Sequence, residues 1–180
     1  MRRNSRIFWP GLTLAALMTA SCVSAAKRQA AANERNPQYQ YEKAVVCMKY
    51  NIVDEALKYL SAALALDPRH ALALNLQGLA FTLKGNPAEA IKSFEAAIAS
   101  NPNFSEAHNN LGMAYQESNR LQDAIASFQK AYALDENYNA SFNLAKAYYL
   151  QEKPEEALGW VQRSIAKFNS SAMAFNLQGV

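Results

Sequence analysis

One spacing constrains this chain more than any other property. Small residues stand at Ala44, Gly78, Gly112, Ala145 and Gly179, so that they recur every 33 or 34 residues. A self-similar period in that range specifies a stack of like supersecondary units rather than one closed core. Each period repeats more than its anchor. A larger side chain follows three positions on (Cys47, Phe81, Tyr115, Tyr148), and later comes an alanine (Ala56, Ala90, Ala124, Ala157). A bulky residue stands four further (Leu60, Phe94, Phe128, Val161), and a small one three beyond that (Ala63, Ala97, Ala131, Ser164). Steps of three and four place these residues on one helix face, so each period holds two amphipathic helices. Breakers separate the two helices of a unit at Asn51, Gly85-Asn86-Pro87, Ser118-Asn119 and Glu152-Lys153-Pro154. Asp67-Pro68 and Asn101-Pro102 close the first two units, because the residue before proline is pushed out of helical conformation. A lone helix pair cannot bury its apolar face; stacking the pairs does.

This skeleton resembles the tetratricopeptide repeat (TPR) family, most clearly in NNLGMAYQESNRLQDAIASFQKAYALD at residues 109–135, and the resemblance extends from Pro37 to the end of the sequence. It implies an all-α fold, an α-solenoid of antiparallel helix pairs wound into a right-handed superhelix. The units are expected at 37–70, 71–104, 105–137 and 138–171, with a partial fifth at 172–180, where AFNLQGV repeats the earlier ALNLQGL of residues 73–79. Lys43, Gln77 and Gln178 stand where the family usually has leucine, which suggests slightly turned helices there. Gln40 and Lys43 also suit a first unit with one face towards solvent.

Ahead of the repeats the chain has a different character. Arg2, Arg3 and Arg6 precede an apolar stretch from Ile7 to Met18, and small residues lead into Cys22, which reads as a secretory signal too short to span a bilayer. Three of the 18 basic residues thus sit in the leader, and beyond it 15 basic residues face 15 acidic ones. That balance removes the main support for a nucleic-acid partner. Thr19-Ala20-Ser21-Cys22 resembles the lipobox of bacterial lipoproteins, although Thr19 stands where leucine is usual. The resemblance implies a lipoprotein signal peptide at 1–21, a lipidated Cys22, and an anchored protein whose residues 22–36 form a flexible tether. It also implies the bacterial cell envelope as location. Val23 after the cysteine agrees with sorting to the outer membrane, facing the periplasm. The other cysteine, Cys47, lies among Val45, Val46 and Met48 and reads as a small buried hydrophobe.

The residues offer little chemistry and much surface. His70 and His108 have no acidic or cysteine cluster spaced to join them, no glycine-rich phosphate loop is present, and no serine sits in a nucleophile elbow. No metal, cofactor or enzymatic activity is therefore expected. In TPR proteins the first helices of successive units line a concave groove that takes a peptide or a partner's helix. Carried onto matching positions, that groove comprises Tyr41, Val45 and Met48, then Leu72, Asn75, Leu76, Leu79 and Leu83. Asn109, Asn110, Met113 and Gln116 follow, and then Phe142, Asn143, Lys146 and Tyr149. Leu79, Met113 and Phe142 are expected to form an apolar strip. From the register of Asn110 and Asn143 the family often holds a ligand backbone. Only Lys146 and, less centrally, Lys49 supply positive charge, so a clamp for a terminal carboxylate is not expected, and recognition by side chains and backbone is. The implied function is a protein-binding scaffold in the envelope. The layout of leader, lipid-type cysteine, tether and repeats is similar to lipoproteins that assist type IV pilus and secretin assembly. Alternatives are an adaptor that recruits an envelope hydrolase to its substrate, and the N-terminal TPR part of a longer enzyme.

Overall fold

The computed structural model describes residues 27–177. The leader, Cys22 and Gly179 lie outside the described residues. Within them there are nine helices and no strand: α1 (27–34), α2 (Pro37–Lys49), α3 (Val53–Leu66), α4 (Ala71–Leu83), α5 (Pro87–Ser100), α6 (Ser105–Glu117), α7 (Leu121–Leu134), α8 (Tyr138–Leu150) and α9 (Pro154–Leu177). From α2 onward each helix packs on its sequence neighbours. The first helices of the units, α2, α4, α6 and α8, also touch one another in succession, whereas no two of α3, α5, α7 and α9 do among the described residues. The first helices therefore form the inner row of the stack and the second helices the outer row.

The breakers work through one repeated turn. Asn51, Gly85, Asn119 and Glu152 take left-handed backbone, with φ of 57°, 70°, 57° and 60°. At each, the next amide reaches back to the helix: Ile52 N–H to Cys47 O at 2.8 Å, Asn86 to Phe81 at 3.0 Å, Arg120 to Tyr115 at 2.8 Å and Lys153 to Tyr148 at 3.1 Å. This is the Schellman closure, which satisfies carbonyls that a helix end otherwise orphans. Between units the chain turns through extended residues at Asp67, Asn101 and Asp135.

Helix pairs meet at the small anchors. Leu60, Phe94 and Phe128 are fully buried, each sixteen residues after its anchor. A Cβ built on Gly78 would lie 2.4 Å from the Phe94 ring, and one on Gly112 would lie 2.5 Å from the Phe128 ring. Where the large partner is smaller the anchor is alanine: Ala44 pairs with Leu60, and Ala145 with Val161. The second and third units thus combine glycine with phenylalanine, and the outer two combine alanine with a branched aliphatic residue. Ala56, Ala63, Ala90, Ala97, Ala124 and Ala131 are wholly buried along the same contacts.

At the ends the structure differs from expectation in three places. Residues 27–34, read as part of a flexible tether, are helical. Gln40, read as solvent-facing, is buried: its amide donates to both the backbone and the carboxylate of Glu34 at 2.9 Å, and Lys43 pairs with that carboxylate at 3.1 Å. These bonds, the Gln40 amide first, hold the Glu34 carboxyl below its ordinary range. At the other end no separate fifth-unit helix begins at residue 172. α9 continues unbroken to Leu177, and the register that holds the extended Asp67, Asn101 and Asp135 at the ends of α3, α5 and α7 holds Phe168 here.

Gly112→Ala should lower stability by about 1–3 kcal/mol through overpacking against Phe128, although alanine is the better helix former by about 1 kcal/mol. Adding Phe128→Leu, which recreates the pairing of the first unit, should recover part of that loss in thermal unfolding. A double variant no more stable than the sum of the single changes predicts would contradict the pairing.

Candidate protein-binding groove

The inner row presents side chains from four helices in fixed register, and the structure sorts the expected groove residues into three kinds. Leu76 and Leu79 are half-buried and pack against the cores of the stack. Met113, Phe142 and Tyr149 are exposed at 42%, 48% and 72%, with Val45, Leu72 and Leu83 open beside them. Lys146 is exposed, while Asn109 and Asn143 are half-buried and Asn110 is buried.

The asparagines join one unit to the next. Asn110 Nδ2 donates to Asn75 Oδ1 at 3.1 Å, and Asn75 Nδ2 donates to Glu106 Oε1 at 3.1 Å. One junction later Asn143 Nδ2 donates to Asn109 Oδ1 at 2.9 Å. The same two registers are used both times, the fifth residue of one unit and the sixth of the next. At the first junction those registers hold Tyr41 and Leu76, which both pack on the first core cluster. The amides thus tie α4 to α6 and α6 to α8. Burial, and then the Glu106 carboxylate, push the Tyr41 hydroxyl above its usual range. Burial likewise, with its bond to Glu95 at 2.8 Å, pushes the Tyr115 hydroxyl up to about 12. Both phenols therefore stay protonated at neutral pH.

The apolar residues gather in two places rather than one strip. Leu79 and Met113 border a small depression with Thr82, Phe94, Asn110 and Ala114. Phe142, Lys146 and Tyr149 line a wide apolar groove of about 350 Å³ together with Ala145, Pro154, Ala157, Leu158 and Val161, so they open onto α9. Phe142 also stacks on Tyr138 at 5.8 Å, and Tyr138 meets Phe168 at 5.6 Å. Sequence reasoning named Phe142, Lys146 and Tyr149 as groove residues but not Leu158, Val161 or Phe168 of α9 as their neighbours. It also missed Glu106 as the acceptor for Asn75, although asparagine recurring at adjacent registers of successive units was a visible signal. Among the described residues no group of three or more His, Cys, Asp or Glu is placed to hold a metal ion, and no helix is long and apolar enough to cross a membrane.

Asn110→Ala should cost about 1–3 kcal/mol, because it leaves the buried Asn75 carbonyl without its donor. Replacing Asn75 and Asn110 together by leucine, as an apolar junction, should be much nearer neutral. A double-mutant cycle read by chemical unfolding checks this; no coupling between the two sites would show that the amides do not join the units.

Comparison with known proteins agrees with this architecture. The tetratricopeptide repeat family profile matches residues 51–103, 84–139 and 109–172. Among solved structures the chain is similar to a crystal structure of MamA, at 22% identity and a TM-score of 0.75, covering 84% of this chain and 89% of that one. It is similar to residues 41 to the end of MamA from Desulfovibrio magneticus RS-1, at 22% identity and a TM-score of 0.70, covering 76% and 77%. It also resembles the first TPR of Spaghetti (RPAP3) bound to the HSP90 peptide SRMEEVD, at 20% identity and a TM-score of 0.64, covering 66% and 95%. No curated protein sequence matches the chain. At these identities the structures attest the solenoid fold, and the family profile covers most of the repeats. The chain is a member of the tetratricopeptide repeat family.

Proposed function

We propose that the protein is a membrane-anchored docking scaffold of the bacterial envelope, which receives a segment of a partner protein along its inner row of helices. The observation that carries this reading is the composition of that row. Leu72, Leu83, Met113, Phe142 and Tyr149, all on first helices of the units, stand open to solvent, with Lys49 and Lys146 as the basic residues among the lining positions. Exposed apolar and aromatic side chains on a rigid, preformed concave face suit an amphipathic helix or an extended peptide read through its side chains. They do not suit a short acidic tail gripped by its carboxylates, which needs a denser set of cations. The preformed amide ties support the same reading, since they hold the row in one curvature and reduce the ordering cost of binding.

The anchor belongs to the proposal through the leader. Small residues running into Cys22, with Val23 behind it, support a diacylated N-terminus on the outer membrane facing the periplasm. Lipid chains contribute about 0.8 kcal/mol per buried methylene, and two of them hold a protein firmly. The order of leader, cysteine and repeats supports a partner within pilus or secretin assembly.

One experiment on the full chain in envelope membranes tests both parts. A photo-crosslinking amino acid at Met113 should capture one defined partner, and the same group at the exposed Gln122 on α7 should not. Mass spectrometry of the recovered protein should show a lipid-modified N-terminus at Cys22. Equal capture from Gln122 would remove the groove as the docking surface, and a soluble chain with an unmodified N-terminus would remove the anchor.

A further inference from the structure

The end of the stack nearest the leader is built differently from the junctions inside it. At two registers of their first helices the later units carry Ala73 and Ala80, Ala107 and Ala114, and Ala140 and Ala147. These alanines are buried where the second helix of the preceding unit packs, Ala73 and Ala80 sharing one core cluster with Leu60 and Ala63 of α3. The first unit holds Tyr39 and Val46 at the same registers. Alanine lets two helix axes approach closely, whereas tyrosine and valine hold an incoming helix off. The face is therefore not shaped to receive another repeat.

What the face offers is an open, mostly apolar groove of about 390 Å³, lined by Tyr39, Glu42, Lys43, Val46, Cys47 and Tyr59. Tyr39, Lys43, Val46 and Tyr50 follow one another at steps of four, three and four, along one side of α2. Val46, Tyr50 and Ile52 are 55%, 68% and 49% exposed. A cation holds the groove in shape: the Lys43 ammonium stands 4.9 Å from the centres of both the Tyr39 and Tyr59 rings and pairs with Glu34 of α1 at 3.1 Å. Charge is uneven along the chain as well. Between residues 27 and 50 five basic residues face two acidic ones, whereas from residue 51 onward ten basic face thirteen acidic. The balance of charge beyond the leader thus divides into a basic end and an acidic body.

We propose that this end face rests on the anionic surface of the membrane that holds the anchor. The inference depends on the lipidated Cys22 proposed above and adds which side of the protein meets the bilayer. Only residues 23–26 separate Cys22 from α1, a reach of at most about 17 Å, and the length of α1 adds about 12 Å. An anchored Cys22 therefore keeps the first unit within about 30 Å of the headgroups, closer than it holds any later unit. The chemistry of the face suits that neighbour. Tyrosine places its ring among headgroups and its hydroxyl in water, and valine and isoleucine enter the shallow apolar layer beneath. Lys27, Arg28, Arg35 and Lys49 are drawn to lipid phosphates, while the same surface repels the acidic body. Charge thus favours a solenoid standing on its first unit over one lying on its side. Upright, it carries Met113 and Phe142 away from the bilayer, where a partner can reach them.

Fluorescence quenching of the full lipidated chain tests this, on vesicles of phosphatidylethanolamine and phosphatidylglycerol that carry a nitroxide-labelled lipid. In a Cys47→Ala background, a fluorophore on Tyr50→Cys or Ile52→Cys should lose most of its emission, and one on Met113→Cys or Gln122→Cys should keep nearly all of it. These four positions are exposed, so helix content should stay unchanged. Lys27→Glu combined with Arg35→Glu should weaken the quenching at Tyr50→Cys several-fold, and so should phosphatidylcholine in place of phosphatidylglycerol. Flotation of the same samples with the vesicles reads the anchor separately. A chain that fails to float overturns the anchor and this inference together. A chain that floats while Tyr50→Cys and Ile52→Cys keep their emission, or that is quenched as strongly at Gln122→Cys, overturns this inference and leaves the anchor standing. Quenching at Tyr50→Cys that ignores both charge changes would likewise refute contact with anionic headgroups.

Discussion

The close crossing of two helices over a missing side chain is the contact on which the rest of this structure depends. Gly78 and Gly112 leave space into which Phe94 and Phe128 fit so tightly that a single added carbon would overlap the ring. A phenylalanine taken wholly out of water stabilises by about 1.5–3 kcal/mol, and it can be buried here only because its partner has no Cβ. The contact also fixes geometry. With the large residue always sixteen positions after the small one, every unit closes in the same way and the units can stack without mismatch. Alanine with leucine or valine at the two ends is the same solution at a smaller scale.

From that crossing follows the division between inner and outer rows, and from the division follows the surface available for binding. The first helices touch each other through the narrow side of the stack, where Asn75, Asn109, Asn110 and Asn143 exchange hydrogen bonds from unit to unit. Buried amides without partners would be costly at such a junction, and here each bond engages a donor of one helix with an acceptor of the next. The amides therefore contribute to the shape of the groove. Contact with a partner falls to the exposed apolar side chains around them, with Lys146 as a nearby charge.

Much of this was legible in the sequence, and the parts that were not share a physical cause. The period, the helix pairs, the breaks near Asn51, Gly85, Asn119 and Glu152, and the recurring alanines all express local rules that repeat, so each unit confirms the others. The ends lack that redundancy. Helix α1 was hidden because its anchor is one glutamate reaching a glutamine and a lysine on the next helix, a tertiary contact with no periodic signature. The length of α9 was hidden because the repeat itself argued for a turn near residue 170, while Phe168 stands at the register where Asp67, Asn101 and Asp135 end their helices. The asparagines were recognised as groove residues from their register. That their amides face each other across the junctions appeared only when two helices were placed side by side.

The central claim is that the inner row of first helices is the surface on which a partner docks. Residue-resolved amide hydrogen exchange of the full chain, free and bound to the partner captured at Met113, tests it most directly. Binding should slow exchange in α2, α4, α6 and α8, strongest near Met113 and Phe142, and leave α3, α5 and α7 unchanged. Protection concentrated instead on α3, α5 and α7, with the inner row unaffected, would contradict the account.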